Sequence, residues 1–572
     1  MHSAFPLRRS APRLHPRLLA GALVAIFSSA AFAQAVPDAG ALLQQLESQR
    51  APALPPKSVP GFAYPKPMVP TGGATVTIKA IRFDGATQLP PDVLNRAVAG
   101  FLNRPIDFAE LQNAAIAVAT TYREAGWVVR AYLPQQDLDS GVLTIQVVEA
   151  VYGETRVEGA SQRVAPERIR RMVDAVQARG KLVNSAALDR AVLLINDLPG
   201  VDAAASLSEG SGQAETDLVL ALSPTPPLAL DIALDNNGAR STGADRLVAS
   251  LSINSPLHIG DQIGATTVHT DGSDYLRAAY SLPLGSGGWR VGVNAGRLWY
   301  RVSTPEFAAL DLHGISVSNG LEARYPLIRS RLRNLNLVLE AEHKRFENFA
   351  GDEITTRYRM RTVGIGLNGN LTDALWGGGA TAASVQYGGG DVDLAGSPNA
   401  PSDQLSVKTA GRFHKLRMGL AREQSLSAAT TLYASVAGQL ASKNLDSSEK
   451  FYLGGASGVR AYPSSEAGGS EGALVNLELR TRLRERFVLT GFYDWGGVRV
   501  NKIRPAVGAT FPDRYSLSGY GASLAWAGPV GLTFKATLAR RIGGNPNPTP
   551  SGNDQDGTLT RNRWWLQAGL PF

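Results

Sequence analysis

The stretch Arg563-Trp564-Trp565-Leu566-Gln567-Ala568-Gly569-Leu570-Pro571-Phe572 ends the chain in near-strict alternation. Trp564, Leu566, Ala568, Leu570 and Phe572 fall on one face, and Arg563, Trp565 and Gln567 on the other. Period two marks a strand, because successive side chains leave a pleated backbone on opposite sides. The pattern recurs upstream. Leu432, Ala434, Val436, Gly438 and Leu440 alternate with Tyr433, Ser435, Ala437 and Gln439, and Val475, Leu477 and Leu479 alternate with Asn476, Glu478 and Arg480. One face suits lipid and the other water, as in a transmembrane antiparallel β-barrel. Spread over residues 225–572, at roughly 22 residues per strand with its turns, this predicts about 16 strands, with about 14 or 18 left open. A barrel of that size encloses a lumen wide enough for water and an extended chain.

Composition fits that class. In 572 residues, 60 are Gly, 19% are charged and mean hydropathy is −0.08. These values are odd for a bundle of membrane helices and ordinary where polar and apolar residues alternate. The chain contains no Cys, which excludes disulfides and thiolate metal sites. The formal charge of +8 falls to +4 without Arg8, Arg9, Arg13 and Arg17, too mild a balance for a nucleic-acid partner.

Those four arginines precede Leu18–Ala33, an apolar stretch ending in Ala31-Phe32-Ala33, so residues 1–33 read as a secretory leader. The stretch is shorter than the roughly 20 residues a membrane helix needs. Residues 34–50 form a helical candidate with Leu42, Leu43 and Leu46 on one side, too short to be stable alone. Residues 51–73 carry seven prolines and read as an extended tether.

Residues 74–150 read as a compact α/β unit. A strand over Val76–Phe83 with an irregularity near Ala80 precedes helices over Pro91–Leu102 and Asp107–Ala125, and strands over Trp127–Leu133 and Val142–Val148 follow. Residues 151–224 repeat the order, with a strand from Glu154, helices over Pro166–Ala178 and Ser185–Asn196, and strands over Val201–Leu207 and Thr216–Leu222.

Two motifs precede the end of the chain. Gly454-Gly455-Ala456-Ser457-Gly458-Val459-Arg460-Ala461-Tyr462 is a glycine-rich stretch presenting one Arg, and Phe492-Tyr493-Asp494-Trp495-Gly496 sets one Asp between aromatics. Glycine lets a loop fold back sharply. Arg460 is then free to turn into the lumen, where an inward Asp494 would offer a planar carboxylate to the planar guanidinium.

The motifs resemble the V-R-G-Y and F-x-D-x-G signatures of the Omp85 superfamily, specifically the outer-membrane transporters of two-partner secretion in the haemolysin and filamentous haemagglutinin secretion-activation family. Val459, Arg460 and Tyr462 match, with Gly458 before them and Phe492, Asp494 and Gly496 in the second motif. Ala461 stands where the family usually has Gly, and a different bend of the tip is expected there. The resemblance implies that the two α/β units are POTRA-like domains with an open sheet edge, that the short N-terminal helix occupies the lumen at rest, and that Arg460 and Asp494 form a conformational latch. It also implies that Phe572 is a sorting signal for the barrel-assembly machinery. The implied partners are outer-membrane lipid and an unfolded exoprotein, a large β-helical adhesin, haemolysin or toxin, received in the periplasm and passed through the barrel.

Rival readings are a barrel-insertion factor, which shares both motifs, and a passive porin, which leaves the periplasmic units unexplained. Catalysis finds no support. The Gly-rich loop lacks the Gly-Lys-Ser/Thr of a phosphate-binding loop. His258, His269, His313, His343 and His414 make no close pair of metal-ligand spacing. No cofactor or metal site is expected.

Overall fold

The computed structural model describes residues 38–47, 74–159, 163–212, 214–505, 507 and 512–572. The expected leader and tether lie outside them. Sixteen antiparallel strands, from Leu228–Asp235 round to Asn562–Pro571, close into a barrel. Leu432, Val436, Leu440, Leu477 and Leu479 are exposed on its outer face, while Gln439 is buried inside. Closure pairs Gln567 with Asp235 through to Pro571 with Asp231. Phe572 extends the seam, its N–H donating to the Leu230 carbonyl at 2.7 Å. A closed ladder satisfies every strand's backbone groups, as a structure facing lipid requires.

Two small α/β units precede the barrel. In the first, Val142–Glu149 is the central strand, with Ala80–Asp84 parallel on one side and Val129–Tyr132 antiparallel on the other. The expected first strand is broken, because Ile78 turns into the core and splits Val76–Thr77 from Ala80–Asp84. The first helix ends at Val98 and tightens into a 3₁₀ turn over Ala99–Phe101, where Gly100 weakens helical preference. The second helix, Phe108–Glu124, starts from a capping box in which the Asp107 side chain accepts from the Glu110 N–H and the Glu110 side chain from the Asp107 N–H. Leu94, Val98, Tyr122 and Ile145 form its core.

The second unit orders its strands Val151–Gly159, Glu215–Ser223 and Asp202–Glu209, with helices Pro166–Asp174 and Ser185–Asn196. Its first helix stops short of the expected Ala178. Gln177 is buried and donates to the Leu182 carbonyl while accepting from the Asn184 N–H, bonds that a continuing helix would not allow. The unit abuts the periplasmic turns of the barrel through Asp189 to Arg331 at 2.9 Å and Asp197 to Arg329 at 2.7 Å.

The nine-residue helix Ala39–Glu47 lies inside the barrel. Ala39, Leu42 and Leu43 pack against Tyr275, Tyr300, Phe346, Tyr358 and Phe413, which project inward. Each buried Leu contributes about 1.5–3 kcal/mol, which supplies what so short a helix lacks in isolation.

Candidate functional site

The loop between strands Thr430–Ala441 and Glu471–Arg484 does not project outward; its glycine-rich part folds down against the luminal wall. Leu453, Val459, Ala461 and Tyr462 are buried there against Phe492, Val498, Leu517 and Ala539. The fold-back needs glycine at two tight points, because a Cβ on Gly458 would collide with the Leu453 carbonyl and one on Gly454 with the Pro463 carbonyl. The tip also meets a glycine on the wall. An added Cβ on Gly519 would lie 2.5 Å from the Ala461 Cβ, so the missing side chain opposite makes room for the alanine. Ala461 is absent from the residues with positive φ, so the alanine sits in a backbone conformation that costs it no strain.

Asp494, the expected partner, is fully buried on strand Phe487–Arg499 and accepts a two-point contact from Arg460. Arg460 Nε donates to Oδ2 at 2.9 Å and Nη2 to Oδ1 at 2.7 Å, and the Arg460 backbone N–H adds a bond to Oδ2 at 3.0 Å. Fork-on-fork geometry is the strong form of an arginine–carboxylate pair. Phe492 shares the inward face with Asp494, and the guanidinium carbon sits 3.6 Å from its ring centroid, a cation–π contact. Gly496, two residues on, leaves space that the Leu453 side chain fills.

Three further residues complete the site without having been singled out in the sequence. Glu478 accepts from Arg460 Nη1 at 2.7 Å and pairs with Arg480, which reaches Glu423. Asn476, directly opposite Asp494 in the ladder, donates to Asp494 Oδ1 at 2.8 Å and to the Gly458 carbonyl at 3.1 Å. Trp565 of the last strand donates from Nε1 to the Arg460 carbonyl at 2.7 Å. Alternation already placed all three side chains on the inward face; that they converge on one arginine was not readable from it.

The luminal helix reaches the same loop. Ser465 Oγ donates to Gln45 Oε1 at 2.9 Å, and Gln45 Nε2 to the Asn237 carbonyl at 3.4 Å. At the helix start, Asp38 accepts from the Ala41 N–H at 2.8 Å and from Ser447 at 2.8 Å. At its end, Glu47 faces Lys344 at 3.0 Å and Arg277 at 3.8 Å. Helix and loop both lie within the lumen. Of the expected site residues only Phe572 stands apart, exposed at the seam.

Residues 214–525 match the family described as haemolysin secretion/activation protein ShlB/FhaC/HecB. The chain belongs to that family. Residues 76–150 match the POTRA domain of ShlB type. Among relatives, the heme/hemopexin transporter protein HuxB of Haemophilus influenzae is 22% identical over 91% of this chain and 94% of its own. The outer membrane transporter CdiB of Dickeya dadantii is 25% identical over 71% of this chain and 72% of its own. The solved CdiB of Escherichia coli shares the fold with a TM-score of 0.65 at 21% identity, over 90% of this chain and 94% of that one. This member of the haemolysin secretion/activation family is thus an outer-membrane transporter of secreted partner proteins, with its POTRA domains in the periplasm.

Proposed function

We propose that the transporter receives an unfolded exoprotein at its periplasmic POTRA domains and conducts it through a lumen held shut at rest by two inserts, the helix Ala39–Glu47 and the Arg460 loop. The observation that carries this reading is the desolvated Arg460–Asp494 pair at the tip of an inward-folded loop. The pair acts as a conformational latch, with Gly458, Val459, Tyr462, Phe492 and Gly496 as its framework. Residues 1–33 are a cleaved leader, 34–50 the plug, 51–73 a tether that lets the plug leave without loss of the chain, 74–150 and 151–224 the receiving domains, and 225–572 the conduit.

Client capture is assigned to the edge strand Val129–Tyr132. Its outer side has no neighbouring strand among the described residues, and it borders an apolar groove against helix Phe108–Glu124 in which Phe108 and Tyr132 are exposed. An extended chain adds to such an edge by backbone hydrogen bonds with little demand on its sequence. Clients are large β-solenoid adhesins, haemolysins or toxins, whose repeat-by-repeat folding outside supplies direction. The protein is a conduit and not an enzyme, uses no cofactor, and relies on outer-membrane lipid and on the barrel-assembly machinery, which reads Phe572.

The test is capture of a client stalled in transit. A photo-crosslinker at Ser384, on the luminal wall, should trap it, and one at Val363, exposed on the lipid face, should not. Trapping from Val363 alone, or from neither position, overturns passage through the barrel.

A further inference from the structure

Beyond Arg460, the same loop carries a second fixed point at Glu466. This side chain is fully buried, yet no Lys or Arg lies within ion-pair distance of it among the described residues. Its partners come from the last extracellular loop, residues 542–561. Asn545 Nδ2 donates to Oε1 at 3.0 Å and the Gln555 N–H to Oε2 at 2.8 Å. The Tyr462 hydroxyl donates to the Gly544 carbonyl of that loop at 3.3 Å. Loop 542–561 is itself anchored to the barrel, because Arg541 at the end of its strand gives Nη1 and Nη2 to the buried Asp554 at 3.1 and 2.6 Å. The Arg541 guanidinium also stands 5.1 Å from the Tyr462 ring centroid. The Arg460 loop is therefore held to loop 542–561 as well as to the barrel wall.

We propose that Glu466 is a positioning residue for export: it fastens the Arg460 loop to loop 542–561, and the fastening depends on its holding a proton. The inference rests on the latch reading above. A carboxylate taken out of water without a cation is costly, whereas the neutral acid has no charge to desolvate; it still accepts at one oxygen and gives up the bond at the other, a smaller loss than a buried unpaired charge. The groups facing Glu466 add no compensating charge. Asp554 and Asp556 of loop 542–561 repel its anion, Tyr462 of its own loop and Tyr515 of strand Arg514–Ala527 are neutral phenols, and Arg541 is paired with Asp554. Glu466 lies on the loop, outside the spanning strands; burial is the largest effect and raises its carboxyl, the Gln555 N–H and the Asn545 amide pull it down, the two aspartates push it up again, and the balance stands at about 7, up from 4.5. The closed loop thus keeps a proton that the released loop gives up. Linkage makes closure most favoured below the released value of 4.5, weakens it as pH climbs towards about 7, and leaves it flat above.

The full-length protein in planar bilayers, recorded from about pH 5 to pH 8, tests this. A single linked proton changes the open-to-closed ratio by up to tenfold per pH unit across its window. Wild type should show at least a tenfold rise in open probability between the two ends. Glu466→Gln, which keeps the shape and accepts from one donor without ionising, should stay near the low-pH level throughout. Glu466→Ala, which loses both bonds, should be open at every pH. Heat-modifiable migration of each variant checks that its barrel has formed, and a variant that fails this check is replaced by Asn545→Ala, expected to open in the same sense. A wild type without pH dependence, or a Gln variant that retains it, overturns the proposal. Arg460→Ala in the same recordings separates the two readings. If it opens the channel while the Glu466 variants behave as wild type, only the present inference fails; if it too stays closed, the latch fails with it.

Discussion

Replacing Arg460 with Ala removes the guanidinium from a carboxylate that has no exposed surface. Asp494 loses its Nε and Nη2 donors and keeps the residue-460 backbone N–H and the Asn476 amide. A charge-assisted hydrogen bond contributes about 1.5–3 kcal/mol, and breaking a buried ion pair from one side costs about 3–5 kcal/mol. Glu478 retains Arg480, so its share is small. A loss of about 3–5 kcal/mol from the closed state lowers the closed-to-open ratio roughly 10²-fold to several thousand-fold. Resting conductance in planar bilayers should rise steeply, and export should fall because the loop no longer moves between two defined positions. Arg460→Lys should be intermediate, since an ammonium cannot grip both carboxylate oxygens in one plane. The double variant Arg460→Met/Asp494→Leu should close better than Arg460→Ala, because the orphaned charge is gone. Resting conductance and export at wild-type levels in a folded Arg460→Ala barrel would refute the latch.

Two other sites give sharp expectations. Gly40 of the luminal helix touches the loop at Ser447, where an added Cβ would stand 2.5 Å from Oγ, so Gly40→Leu should unseat the helix at a cost of about 1–3 kcal/mol. Resting conductance should rise several-fold with export preserved; unchanged conductance would leave the helix without a plugging role. In the first POTRA domain, Glu149 accepts from Thr87 N at 2.7 Å, Thr87 Oγ1 at 2.5 Å, Gln88 N at 2.9 Å and Tyr122 OH at 2.9 Å. Burial pushes its carboxyl up, but these donors together outweigh burial and hold it below the usual 4.5. A depressed carboxyl stabilises the folded domain above about 4.5 and loses that contribution as pH falls through its lower folded value. Amide-exchange protection of strand Val142–Glu149 should therefore drop on acidification in wild type and be lower and flat in Glu149→Gln.

How much of this was legible depended on whether a signal is local. Leu477 and Leu479 against Asn476, Glu478 and Arg480 carry their own strand period, and a sheet whose faces meet lipid and water tolerates few exceptions, so the barrel and its size could be read directly. The POTRA elements were legible for the same reason, and their boundaries slipped where tertiary contacts intervened, as at the inward Gln177 and the buried Ile78. Arg460 and Asp494 stood out only through family likeness. Their partners Glu478, Asn476 and Trp565 look like any inward residue, because what selects them is strand register combined with the path of a folded-back loop. Gly519 opposite Ala461 belongs to the same class. No reading of the loop alone reveals that the wall lacks a side chain where the alanine lands.

The central claim, export of a dedicated partner, is tested most directly by quantitative proteomics of culture supernatant and cell surface with and without this gene, complemented by wild type or by Arg460→Ala. One or a few very large proteins should disappear in the deletion and in the Arg460→Ala strain and return with wild type, while ordinary outer-membrane porins stay unchanged. A joint fall of many barrel proteins would contradict that claim and make the chain an insertion factor.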